Sequence, residues 1–220
     1  VMGNGGEGII PGGSFTDYLG NPLTAPATIA PVSAELLWET TDGLISELVL
    51  SDGIVSFNTS AGKGNALIAV KDQQGRIMWS WHIWCTNLPA DQVYMANKYG
   101  NSYTFMDRSL GATSALDDTG SLGMSYQWGR KDPFPWGIMV YDEQSVPHRY
   151  ITTWVPVATS GALGQYAGYT GNTYYATAHP DTFIRTLDGT SYDWYYGGGK
   201  GNSPDVRNNE LWGNPTGYTV

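Results

Sequence analysis

Gly64-Asn65-Ala66-Leu67-Ile68-Ala69-Val70-Lys71, a turn at Gln73-Gln74-Gly75, and then Arg76-Ile77-Met78-Trp79-Ser80-Trp81-His82-Ile83-Trp84-Cys85-Thr86 decide the fold. Ala66 to Lys71 is a short apolar run and Arg76 to Thr86 alternates, so both read as strands joined by a turn. A period of two sorts the second strand into Ile77, Trp79, Trp81, Ile83 and Cys85 on one side, and Met78, Ser80, His82, Trp84 and Thr86 on the other. The first set is expected to be the core face. Trp79 and Trp81 then lie inside a sandwich, while His82 and Trp84 pack against whatever follows as interdomain or structural residues.

Outward from this pair, Leu36 to Glu39, Leu44 to Leu50 and Ile54 to Thr59 read as three more strands, with Asp42-Gly43, Asp52-Gly53 and Gly62-Lys63-Gly64-Asn65 as turns. Five strands at this spacing predict a β-sandwich. Residues 1 to 35 are rich in Gly, Pro and small side chains, which suits an edge strand near Gly8 to Ile10 and a long loop. Asn87-Leu88-Pro89-Ala90-Asp91 opposes strand continuation and sets a boundary, giving domains 1–90 and 91–220. In the second, strands are expected at Ser102 to Asp107 and Tyr150 to Val155, and a short helix over Leu122 to Gly129 stopped by Pro133 and Pro135. The tyrosine-rich tracts Gly161 to Tyr175 and Tyr192 to Asn202 are expected to be long ordered loops.

Composition agrees with a mainly β protein. The 220 residues include 29 Gly, 12 Pro and 15 Tyr, and only 14% are charged, against about 25% in an average domain. Gly and Pro are costly inside helices. The net charge of −9, with 11 scattered Lys and Arg, repels phosphate backbones, so nucleic acid is not an expected partner. No apolar run approaches the roughly 20 residues that span a bilayer. The sequence starts at Val1 without a basic and apolar leader, so any export signal is expected to be cleaved or to lie outside this stretch. Cys85 is the only cysteine, so neither an internal disulfide nor a cysteine-based zinc site can form; it reads as a small buried hydrophobe.

The most specific local block is Tyr126-Gln127-Trp128-Gly129-Arg130-Lys131-Asp132-Pro133-Phe134-Pro135-Trp136-Gly137. Trp128, Phe134 and Trp136 can act as stacking faces for a ligand such as a sugar, with Arg130, Lys131 and Asp132 as hydrogen-bonding groups. Alternatively the aromatics pack inward and Arg130 and Asp132 tie the loop down through a charge-assisted bond. The Pro-Phe-Pro bend favours this second reading.

Other chemistries find little support. His82 and Cys85 point to opposite faces of a strand, and His148 and His179 are distant in sequence, so no metal is expected. Asp117-Asp118-Thr119-Gly120 and Asp188 to Asp193 lack calcium-loop spacing; no cofactor is expected, although a loop-bound calcium ion stays open. Gly62-Lys63-Gly64 and Gly197 to Gly201 are not phosphate loops, and a nucleophile elbow is absent. No pair of carboxylates stands out for glycoside hydrolysis.

Two sets of strings carry a family resemblance. Gly64 to Val70 with Ile77 to Trp84 resembles the "GNAVIAV … ILWSWHIWVT" signature near the end of an immunoglobulin-like β domain in surface proteins of the Bacteroidetes. Met106-Asp107-Arg108-Ser109-Leu110-Gly111-Ala112-Thr113 and Tyr126 to Pro135 resemble the "MDRNLGAT … YQWGRKDPFP" pattern of the Fibrobacter succinogenes major paralogous domain. The likeness covers about residues 60 to 136, with weaker agreement at Asn208 to Asn214. Cys85 and Asn87 stand where similar sequences carry Val and Asp, which puts no function in doubt. The resemblance implies an immunoglobulin-like sandwich followed by a loop-rich α+β domain, distantly similar to C-type-lectin-like folds. It also implies an exported protein of the cell surface or outer membrane, without catalytic activity. Its role there is adhesion or recognition of a glycan or a host or bacterial surface protein, as a fimbrial tip or accessory component. A structural assembly subunit among fimbrial subunits is the alternative, and a carbohydrate-active enzyme a more remote one. Similar sequences continue past the "LWGN" string, whereas this one stops at Val220. The second domain is therefore expected to lack its closing part, as a fragment or a divergent short member.

Overall fold

A computed structural model of the protein describes residues 17–21, 29–96, 98–127, 130–135, 139–141, 147–149 and 173–182. The chain is mainly β, with antiparallel sheets. Its first part holds β1 (Ser33–Glu39), β2 (Ile45–Ser51), β3 (Ile54–Thr59), β4 (Gly64–Lys71) and β5 (Ile77–Cys85). These follow the five expected strands closely. The strands form two sheets, β1-β4-β5 and the β2-β3 hairpin.

The continuous apolar run of β4 has a clear cause: it is the central strand, and Gly64 to Val70 are all buried. A strand covered on both faces loses the polar half of its alternation. Ala66 and Ile68 face the β2-β3 hairpin, where they join Leu44 and Ile45 in an apolar cluster. Leu36, Val55, Phe57, Trp81, Ile83 and Cys85 pack around it. Trp81 pairs with Ile68 and Ile83 with Ala66 across the β4-β5 ladder, so these side chains share one face.

Turn chemistry fixes the hairpins. Asp52 and Gly53 have φ of 51° and 77°, the left-handed pair that matches a two-residue connection to the strand twist. At the corner between the sheets, the Glu39 carboxylate accepts from the backbone N–H of Gly43 at 2.7 Å and of Ile45 at 3.0 Å. The β4-β5 turn is held by Asp72, which accepts from the backbone of Gln74 and Arg76, from Arg76 Nε and from the Tyr18 hydroxyl.

Downstream come the hairpin β6 (Asp91–Tyr94) and β7 (Tyr103–Met106), a 3-10 turn at Thr119–Ser121, and the short pair β8 (Ser125–Tyr126) and β9 (Pro133–Phe134). Backbone pairing also joins β10 (Met139–Tyr141) to β11 (Pro147–Arg149), and α1 (Thr173–Ala178) packs against β5. No helix among the described residues is long and apolar enough to cross a membrane.

The second face of β5, where His82 and Trp84 are expected to pack against the downstream chain, is covered by residues from beyond position 109 and by α1, and it carries the strand's deepest residues, Met78 and Ser80. Two expectations need correction. No helix runs over 122–129 among its described residues. Gly123 turns to φ 67° and Met124 N–H bonds back to the Leu110 carbonyl at 2.9 Å, so Ser125 and Tyr126 are delivered to a strand. Thr173 to Tyr175, the end of a tract read as loop, start a helix. The proposed strands near Gly8 and over Tyr150 to Val155, and the tract Tyr192 to Asn202, lie outside the described residues.

Candidate functional site

The second face of the β4-β5 ladder is built from alternating positions. Asn65 pairs with Trp84, Leu67 with His82 and Ala69 with Ser80, which places Asn65, Ser80, His82 and Trp84 side by side. The strand 103–106 is followed by a loop that lays three successive carbonyls along this face. Gly111 O accepts from Asn65 Nδ2 at 2.8 Å, Ala112 O from Trp84 Nε1 at 3.0 Å, and Thr113 O from the Thr86 hydroxyl at 3.5 Å. Arg108 grips the Asp107 carboxylate with Nε and Nη2 and reaches Thr86 with Nη1.

Gly111 is required at its position. Its φ is 82°, and an added Cβ would lie 2.2 Å from Met124 Cγ and 3.1 Å from Asn65 Oδ1. Backbone strain and this overlap together are expected to make Gly111→Ala cost about 2–4 kcal/mol, read as a fall in the urea midpoint at unchanged slope.

His82 links the face to the 126–135 block. Because Asn65 Nδ2 donates to Gly111, its Oδ1 faces His82 Nε2 at 2.9 Å, and the imidazole must donate there. Nδ1 is left as the acceptor for the Tyr126 hydroxyl at 3.1 Å. Every bond in this relay is satisfied by neutral histidine. Burial lowers the His82 pKa to about 4, against a smaller upward pull from Asp132, and burial with the same carboxylate pushes Tyr126 up to about 12.

A pH dependence follows. The unfolded chain takes a proton on this histidine near pH 6.5, whereas the folded chain refuses it until about pH 4. Stability is therefore unaffected above that range and declines as the pH falls through it, by up to about 3 kcal/mol. Urea melts at pH 7.5, 6 and 4.5 are expected to show this decline, and His82→Gln is expected to flatten it.

Beside the relay sits a charged cluster. Ser80 Oγ donates to Asp132 Oδ1 at 2.7 Å, and Lys131 Nζ donates to Ser80 O at 3.0 Å, to Ser80 Oγ and to Asp132 Oδ1. The ammonium also lies 4.5 Å from the centre of the Trp79 ring. About a third of the Lys131 side chain stays accessible, and only 4% of that of Asp132. Desolvation pushes the lysine pKa down, with Asp132 opposing the shift. A serine bonded to a lysine can serve nucleophilic catalysis when substrate reaches the hydroxyl. Ser80 is 1% exposed, so the arrangement acts here as a polar weld.

Arg130 is 3% exposed and works as a clamp. Nη1 donates to Gln127 Oε1 at 2.9 Å and to Thr182 O at 2.6 Å, and Nη2 to His179 O at 3.0 Å and to Ala176 O at 3.4 Å. The last carbonyls of a helix lack partners within it, and the guanidinium fork takes that of Ala176 in the last turn of α1 together with those of His179 and Thr182 just beyond it. Phe134, 2% exposed, lies 5.0 Å beneath it. Desolvation lowers the Arg130 pKa to about 10 despite nearby Asp132 and Asp181, so the group stays cationic.

Of the six residues considered for ligand contact, Arg130, Asp132 and Phe134 are thus buried and engaged, Lys131 is bonded to Ser80 and Asp132, and Trp128 and Trp136 lie outside the described residues. The direct Arg130 to Asp132 bond is not how the loop is tied: the two side chains reach different partners, α1 and β5. Among the expected structural residues, Trp81 packs on the apolar cluster, Trp79 meets Lys131, and His82 and Trp84 contact the downstream chain. Sequence reasoning missed Asn65, Ser80 and Gly111. The available signal was alternation, which places two small polar residues on the face of His82.

No three His, Cys, Asp or Glu residues are grouped to hold a metal ion among the described residues. Comparison with known protein families, with curated proteins and with solved structures finds no match.

Proposed function

We propose that this chain is a non-catalytic protein of the exported cell-surface class, acting in adhesion or in recognition of a glycan or surface protein as a fimbrial tip or accessory component. On this reading an immunoglobulin-like sandwich supports a lectin-like second part at the outer membrane. One observation carries it: the separate strings that resemble such proteins are mutual partners in space. Asn65 with Gly111, His82 with Tyr126, and Ser80 with Asp132 each join one string to the other. Strings of that kind read as the signature of one scaffold, and the recognition surface then lies outside them.

The test is adhesion by cells displaying the chain, compared with cells displaying Gly111→Ala as a scaffold-defective variant. Adhesion above the undisplayed background, lost in the variant, supports the reading; display without any adhesion counts against it. The assembly-subunit alternative draws on a different feature. β1 and β5 are the outer strands of their sheet among the described residues, and an outer strand can accept a strand from another subunit. Chain-length oligomers that grow with concentration would favour this alternative.

A further inference from the structure

The β6-β7 hairpin stands apart from the buried seam, since all eight of its residues are exposed. Register places Gln92 opposite Phe105 and Tyr94 opposite Tyr103, so these four side chains share one face and Asp91, Val93, Thr104 and Met106 the other. Tyr94, Tyr103 and Phe105 are exposed by 61%, 48% and 57%. Such a concentration of solvent-facing rings on one side of a short hairpin is a mark of a contact surface.

Its dimensions and charge select the occupant. Three aromatic side chains of about 200 Å² each, exposed to this degree, offer on the order of 300 Å², well below the roughly 800 Å² per partner of a stable protein interface. A small ligand fits this face by itself; a second copy of the chain would have to draw in exposed side chains beyond it, such as Val93, Met95 and Met106. The face holds no formal charge within a chain of net charge −9, so the surrounding field opposes an anion, and with no carboxylate on the face a cation would be held by ring contacts alone. Rings with an adjacent carboxamide suit a neutral sugar, which presents C–H faces for stacking and hydroxyl pairs for Gln92.

Ring geometry narrows the form of the sugar. Phe105 meets Tyr94 at 5.6 Å with planes 79° apart, and Tyr103 at 6.4 Å with planes 40° apart. Coplanar rings would suit a flat crystalline surface, whereas these turned rings make a curved wall. We propose that the Gln92, Tyr94, Tyr103 and Phe105 face of the β6-β7 hairpin binds a neutral glycan, holding a single soluble chain or terminal ring. This rests on the recognition reading above and gives it a ligand class and a place.

The probe is a printed array of neutral oligosaccharides with sialylated and sulfated glycans as an anionic arm, followed by titration of each hit in solution and a pull-down on microcrystalline cellulose. The wild-type chain is expected to bind neutral soluble glycans. The triple variant Tyr94→Ala, Tyr103→Ala, Phe105→Ala is expected to lose about tenfold or more in affinity, with an unchanged melting temperature. If the triple variant unfolds, Tyr94→Ala and Phe105→Ala alone and the mapping of glycan-induced amide shifts take its place, with shifts confined to 91–106 expected. Equal binding by wild type and variant, or shifts elsewhere, would overturn the hairpin site and leave surface recognition standing. Binding only to anionic glycans or only to crystalline cellulose would overturn the proposed chemistry, and self-association abolished by the triple variant would replace the glycan with a second copy. Adhesion by displayed cells without any glycan binding would end this proposal alone; absence of both would end the recognition reading too.

Discussion

Arg130→Ala is expected to destabilise the protein by about 3–5 kcal/mol, the range for removing one member of a buried charged network. The guanidinium spans more than fifty residues of sequence, from Gln127 Oε1 to the carbonyls of Ala176, His179 and Thr182. Truncation deprives those carbonyls of their donor and removes the cation stacked on Phe134. Buried acceptors left without donors cost about 1–3 kcal/mol each, before any relaxation. The effect should also be local: amide exchange in 173–182 is expected to accelerate more than in β4. Arg130→Lys keeps the charge but not the planar fork, and is expected to recover less than half of the loss.

Asp132→Ala is expected to cost about 2–4 kcal/mol, measured by urea denaturation near pH 7.5. The substitution leaves the Lys131 ammonium and the Ser80 hydroxyl facing an apolar methyl group. Lys131 is partly accessible and can turn toward water, which is why the expected cost stays below that for Arg130. The carboxylate also exerts the upward pull on His82. Its removal is therefore expected to leave the onset near pH 6.5 and to carry the pH-dependent loss further toward acid, enlarging it.

The strands between residues 33 and 85 were legible because their signals are local. Asp52-Gly53 sets a two-residue turn, Gly75 closes another at φ 76°, and the unbroken run from Ala66 to Val70 marks a strand covered on both faces. That the second face of β5 packs against the downstream chain was legible at His82 and Trp84; which residues meet Ser80 there was not. Ser80 finds Asp132 fifty-two residues away. Pairing over such a distance leaves no periodic trace in the chain.

The same limit explains the helix expected over 122–129. Local propensity allowed a turn of helix there, but Gly123 in the left-handed region and its contact with Leu110 redirect the backbone. Tertiary contacts decide such short segments more than propensity does. The 126–137 block was the most distinctive feature of the sequence, and its described charged groups and Phe134 are spent on internal contacts. The hairpin aromatics drew no notice, because Tyr103-Thr104-Phe105 has the alternation of a half-buried strand. Only accessibility shows that these rings remain outside.

The central claim, that the two sets of strings form one buried scaffold, is tested most directly by a double-mutant cycle between Ser80→Ala and Asp132→Ala. Each single variant and the double variant would be unfolded in urea under the same conditions. A coupling energy of about 1 kcal/mol or more between these positions is expected for groups in direct buried contact. Additivity to within about 0.5 kcal/mol would contradict it, since the strand and the block would then not be joined where the hydrogen bond places them.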